Sequence, residues 1–156
     1  MILHQKEVKY MISEDEIRKE IHPYFGGGKL NCAESTMTAL RNFNVIDAPE
    51  SAVRMMTGFG GGMQRGLICG AVIAGAAALG YITGRTSPGE DREPSAEAVS
   101  EYLDRFKERF GSLYCARLSR GFESKSDEMY EHCTGIAAGA ISILTDIIDG
   151  IEVREK

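Results

Sequence analysis

The residues best suited to chemistry in this chain are four cysteines, Cys32, Cys69, Cys115 and Cys133, with 36, 45 and 17 residues between them. A cysteine sulfur ligates metals, exchanges with disulfides or attacks electrophiles, and in each role the working form is the thiolate. No C-x-x-C pair occurs. That excludes a zinc ribbon, a ferredoxin loop, a thioredoxin-type dithiol and a c-type haem attachment site.

Position says more than spacing. Cys32, Cys69 and Cys115 each fall within about one turn of a predicted helix start, and Cys133 lies about two turns into the last predicted helix. Unpaired N–H groups and partial positive charge at a helix start favour a thiolate, so lowered thiol pKa values are expected. The competing reading is four small buried hydrophobes, a common fate of free cysteine.

The elements that must position these sulfurs read as helices punctuated by glycine and proline, with no period-2 strand. "SEDEIRKEIHPYF" opens with a capping box, Ser13 with Glu16, and places Ile17, Ile21, Tyr24 and Phe25 on one face before Gly26 to Gly28 stop it. "NCAESTMTALRNF" has Asn31 as N-cap and Glu34 three residues on. A short helix is predicted over 49–57, and a further helix over 66–82 after the glycine loop. After the polar loop "RTSPGEDREPS", Ser95 caps a helix whose stripe runs Val99, Tyr102, Leu103, Phe106, Phe110 and stops at Gly111. "SLYCARLSRG" reads as a short helical turn. The last helix is expected over 127–148, ended by Gly150. Six or seven helices predict an all-α, single-domain helical bundle over 1–156, with flexible ends at 1–12 and 151–156.

"GFGGGMQRGLICGAVIAGAAALG", from Gly58 to Gly80, admits three readings. Gly61 and Gly66 match half of a phosphate loop, but Leu67 and Ile68 stand where lysine and hydroxyl are needed and no strand precedes them, so no nucleotide is expected. Nineteen uncharged residues between Arg65 and Arg85 approach the length of a bilayer span. They are mostly glycine and alanine, which gain little from lipid, so no membrane insertion is expected. The remaining reading is a Gly/Ala-rich helix, apolar all round and buried at the bundle centre. Gly61 and Gly62 then bring N–H groups near Cys69, and Gly70 leaves space beside it. Arg65 faces either an anionic centre or solvent.

Hydrophobic residues are 43% and charged residues 26% of the 156, which excludes wholesale disorder. A net charge of −5 with dispersed basic residues excludes a nucleic-acid binder. "MILHQKEVKYM" breaks the apolar core a signal peptide requires, so a cytoplasmic protein without permanent disulfides is expected. His132 and Cys133 are adjacent on a helix, about 100° apart, and do not share an ion.

Four cysteines with their contexts, "LNCAES", "FGGGMQRGLICGAV" followed by "ALG", "CARLSRG" and "CTGIAAGA", make the chain resemble the C_GCAxxG_C_C family of redox-active proteins from Gly28 to Leu144. In the family label the central motif ends in glycine. Here Cys69-Gly70-Ala71-Val72-Ile73-Ala74 is followed by glycine one place later, at Gly75. The resemblance implies a small helical protein with redox-active cysteines, and similar modules in multidomain relatives accompany an iron–sulfur centre beside haem. No C-x-x-C-H occurs here, so covalent haem is not expected.

The leading expectation is that Cys32, Cys69, Cys115 and Cys133 converge to ligate an iron–sulfur or other metal centre for electron transfer with a redox partner protein. The cofactor contacts would be Gly61, Gly62, Arg65 and Gly70. One alternative is a metal-free protein in which a cysteine pair switches between dithiol and disulfide. Another is a non-catalytic helical interaction module with inert cysteines. The small-residue helix surface suggests a homodimer.

Overall fold

In a computed structural model, residues 11–154 are described, with side chains through Ile151. The expected flexible N-terminal end falls largely outside them. Seven α-helices make up the fold, and there is no strand among the described residues. They are α1 (Glu14–Phe25), α2 (Cys32–Asn42), α3 (Glu50–Met56), α4 (Gly70–Thr83), α5 (Glu93–Phe110), α6 (Cys115–Leu118) and α7 (Asp127–Arg154).

Local sequence sets several of the boundaries. Ser13 Oγ accepts from Glu16 N, and Glu16 accepts in return from Ser13 N, closing the capping box of α1. Asn31 and Glu34 make the same reciprocal pair at α2, at 2.8 and 2.7 Å. Gly111 ends α5 in the left-handed region, where glycine meets no Cβ penalty. Helix α5 begins at Glu93 with Arg92 as N-cap, so the cap expected at Ser95 is displaced by three residues.

One boundary is corrected outright. Gly150 does not end α7, which continues to Arg154 with Ile151 buried. Glycine inside a helix costs about 0.5–1 kcal/mol relative to alanine. Burying an isoleucine side chain contributes about 1.5–3 kcal/mol, and Ile147, Ile148 and Ile151 are all buried here. Burial outweighs the glycine cost, and the helix runs on through Gly150.

Two helices share the centre. α4 packs against α2, α5 and α7, while α7 also packs against α1 and α2. The core includes Ile17, Leu40, Leu79, Tyr102, Phe106 and Ile141, each fully buried. Glycine in α4 permits one of these contacts. A Cβ at Gly75 would overlap the Tyr102 phenol, whose hydroxyl donates to Ala71 O at 3.0 Å. Helix α4 has 14 residues, about 21 Å at 1.5 Å per residue, shorter than a bilayer core. α7 is long and apolar enough to cross a membrane over Asp127–Ile151, but 72% of its most apolar stretch is buried in protein.

The glycine loop before α4 is a compact left-handed turn. Gly61, Gly62, Met63 and Gln64 all have φ near +60°. Gln64 Nε2 donates to Gly60 O at 3.1 Å, and Leu67 N donates to Gly62 O at 3.0 Å. The chain then pairs briefly with the segment before α6 through an antiparallel Ile68–Tyr114 bridge.

Candidate functional site

Each cysteine is placed by a distinct local device. Cys32 is the first residue of α2, and its register is fixed by Asn31, whose Nδ2 donates to Thr57 O at 3.0 Å. Thr57 Oγ1 in turn donates to Glu34 Oε1 at 2.6 Å, so the start of α2 is tied to the turn that leads into the glycine loop. Cys69 is the N-cap of α4 and Cys115 the first residue of α6. The Ile68–Tyr114 bridge sets them side by side, with Cys69 N donating to Leu113 O at 2.8 Å and Cys115 N to Leu67 O at 2.6 Å. Cys133 projects from α7, within its first two turns.

Cys32, Cys115 and Cys133 line one cavity of about 500 Å³. Gly60, Gly61 and Gln64 from the glycine loop form part of its wall, and Phe25 and Tyr130 form another part. Those two rings meet edge to face, with centroids 5.2 Å apart. Cys69 does not line the cavity. It is 8% exposed and lies behind the lining, one residue from Gly70, where a Cβ would overlap Cys32 Sγ. Electrostatic coupling links Cys69 to Cys32 and Cys115, and Cys133 to the same pair. All four cysteines are free thiols.

Of the other residues expected at the site, Gly61 lines the cavity, while Gly62 and Gly70 are buried packing positions beside it. At Gly62 a Cβ would come within 2.9 Å of Cys115 Cβ. Arg65 is exposed and does not line the cavity. Sequence reading missed Asn31, Tyr130, Phe122 and Lys125 as wall residues. A left-handed φ of 61° at Lys125 marks the tight loop that carries it, and "GFESKS" directly after the third cysteine context was the available signal.

The pKa values of Cys69 and Cys115 run opposite to expectation. Burial pushes Cys133 up to about 12, helped by the neighbouring Cys32 and Cys115 sulfurs. Burial also raises Cys115, with Cys32 adding to it and the Ser119 hydroxyl partly offsetting it. Cys69 is raised most, by burial and then by Cys32. The Ala71 and Val72 N–H groups favour its thiolate, although Cys69 makes no side-chain capping hydrogen bond. A helix start is worth about 0.3–1 kcal/mol to a nearby anion, whereas full burial shifts a pKa by up to about 3–5 units. Desolvation therefore outweighs the helix field at Cys69 and Cys115.

Among the described residues, no three His, Cys, Asp or Glu side chains converge on a site for a single metal ion. The expected convergence of all four cysteines is therefore met only in part: Cys32, Cys115 and Cys133 share a cavity lining and Cys69 does not.

Histidine plays a different part. The His132 ring stacks on Phe122 with centroids 4.3 Å apart, and its Nε2–H donates to Leu118 O at 2.8 Å.

The family described as "Putative redox-active protein (C_GCAxxG_C_C)" matches residues 30–147, more than half of the chain. No curated protein and no solved structure matches it. The four cysteines placed above all lie inside the matched segment, and the chain belongs to the C_GCAxxG_C_C family.

Proposed function

We propose that Cys32, Cys115 and Cys133, with Cys69 as fourth sulfur, hold an iron–sulfur centre and that the protein transfers single electrons. The observation that carries this reading is three cysteines lining one cavity, with Cys69 electrostatically coupled to Cys32 and Cys115. Such a centre supplies reversible one-electron oxidation and reduction without bond making in a substrate.

The chain's own residues supply the rest. The Asn31–Glu34–Thr57 hydrogen bonds orient Cys32, and the Ile68–Tyr114 bridge orients Cys69 and Cys115. Phe25, Tyr130 and Phe122 keep water from part of the wall. Loading a buried thiol set with a cation releases protons, so uptake is expected to strengthen as pH rises.

The test is a Cys→Ser series at the four positions after anaerobic reconstitution with iron and sulfide. Each substitution is expected to lower bound iron and the visible sulfur-to-iron absorption. Full retention of both in Cys32→Ser, Cys115→Ser and Cys133→Ser would contradict the assignment.

A further inference from the structure

Cys32, Cys115 and Cys133 are a minority of the lining of their cavity. Its volume of about 500 Å³ lies within the range of about 300–1,000 Å³ that small-molecule sites occupy. Phe25, Leu30, Phe122, Met129 and Tyr130 supply apolar wall. Phe25 is buried and forms the floor, while Phe122 is exposed and stands at the mouth.

Two of these rings are fixed before any ligand arrives. Tyr130 meets Phe25 edge to face at 88°, and it lies so close to Gly28 that a Cβ there would come within 2.6 Å of its hydroxyl. Phe122 stacks on His132 with the ring planes 20° apart. Side chains held in this way lose little entropy when a flat molecule packs on them. Offset or edge-on contact between rings then adds to the gain from apolar burial.

The polar part of the lining is small and can donate hydrogen bonds. The Ser124 and Tyr130 hydroxyls have no hydrogen-bond partner among the described residues, and Lys125 has no ion-pair partner there. Gln64 Nε2 spends one of its two hydrogens on Gly60 O. By contrast, Ser119 Oγ is committed to Cys115 O and Asn31 Nδ2 to Thr57 O. The free donors suit a ligand with an oxygen acceptor.

Charge near the mouth balances instead of selecting a sign. Lys125 is the one charged side chain among the described lining residues, and Asp127, Glu128 and Glu131, all exposed, follow it at the start of α7. An anion and a cation each meet a like charge there, and an uncharged ligand meets none.

We infer that this cavity binds a small, uncharged ring compound that carries a carbonyl oxygen. Binding is non-covalent. It draws on the rings and the donors of the lining, so it does not rest on a metal centre at the sulfurs.

The test is titration of the full chain with prodan, an uncharged naphthyl ketone whose emission shifts to the blue in an apolar site. Saturable single-site binding is expected, with a Kd below about 1 mM. Acetylnaphthalene is expected to displace prodan about two- to tenfold better than naphthalene, and better than naphthoate or naphthylmethylammonium. Phe122→Ala, at an exposed position, should weaken prodan binding at least about threefold. Ser124→Ala/Tyr130→Phe, which keeps the ring, should reduce the ketone's advantage over naphthalene. Tyr81→Ala removes an exposed ring on α4 outside the lining and should leave binding unchanged.

Absence of saturable binding, displacement by either ion as good as by the ketone, or equal effects of Phe122→Ala and Tyr81→Ala each overturns the proposal. So does a ketone advantage that is missing in the native chain or undiminished in Ser124→Ala/Tyr130→Phe. Iron measured on the same samples separates this site from the proposed centre. An iron-free protein that binds prodan keeps the site and loses the centre, and an iron-loaded protein that ignores prodan does the reverse.

Discussion

Gly70 and Cys32 meet so closely that a methyl group on the first would overlap the sulfur of the second. The contact joins the start of α4 to the start of α2, and through them the cysteine behind the cavity to one that lines it. Gly70→Ala would also bring its Cβ within 2.9 Å of Ala33 N, a backbone atom with little room to give. Overpacking of this kind costs about 1–3 kcal/mol. The expected result is a lower urea midpoint together with reduced iron uptake, and unchanged values of both would contradict the contact.

Gly75 and Gly80 lie in the same helix and are expected to respond in opposite directions. At Gly75 an added methyl overlaps Tyr102, so Gly75→Ala should destabilise by about 1–3 kcal/mol. At Gly80 nothing lies within 4 Å. Gly80→Ala should therefore stabilise by about 0.5–1 kcal/mol through helix propensity alone. Denaturant unfolding of the two variants checks the pair.

Asn31 both caps α2 and binds Thr57 O, so Asn31→Ala removes two interactions. A lost N-cap costs about 0.5–2 kcal/mol. Asn31→Asp keeps the capping oxygen and loses only the donor to Thr57, and its loss should be smaller. An equal loss in both variants would show that the tie to Thr57, and not the cap, holds the start of α2.

Acid sensitivity is expected from Glu14, whose carboxylate accepts from Arg109 Nη1 at 2.5 Å and Nη2 at 2.9 Å. The Arg109 hydrogen bonds hold the Glu14 pKa below its ordinary value of 4.5. The folded pKa is depressed, so the stabilisation is present above pH 4.5 and fades as pH falls through the folded value. Both side chains are partly exposed, and such pairs contribute about 0.2–1 kcal/mol. Glu14→Gln should be less stable than the native chain at neutral pH, and the two should converge in acid. A constant gap at all pH values would show that the pair does not act through charge.

Much of the fold was legible because its signals are short-range. The Ser13–Glu16 and Asn31–Glu34 capping boxes need only four consecutive residues, and both form. The position of Cys32 follows from such a cap, whereas α4, expected from Gly66, begins only at Gly70 after the left-handed loop, so that Cys69 stands just before the helix and without a side-chain cap. What escapes a sequence reading depends on packing between distant segments. Whether Cys69 lines the cavity or lies behind it depends on how α4 meets α2, and no local spacing records that. The Cys69 and Cys115 pKa values run against the sequence expectation because the helix start is visible in sequence while burial is not. Gly150 reads as a stop because its local cost is visible and the burial of Ile151 is not. Phe122 and Lys125 sit in a loop without periodicity, and only the fold brings that loop to the cavity.

The central claim is that the four sulfurs hold an iron–sulfur centre. Iron and acid-labile sulfide per chain, determined with the visible spectrum on protein purified without oxygen, test it most directly. The account predicts a coloured protein containing both elements, bleached when Cys32, Cys115 or Cys133 is replaced. A colourless, metal-free protein with four titratable thiols, two of which disappear on mild oxidation, would contradict it and assign the cavity to dithiol chemistry.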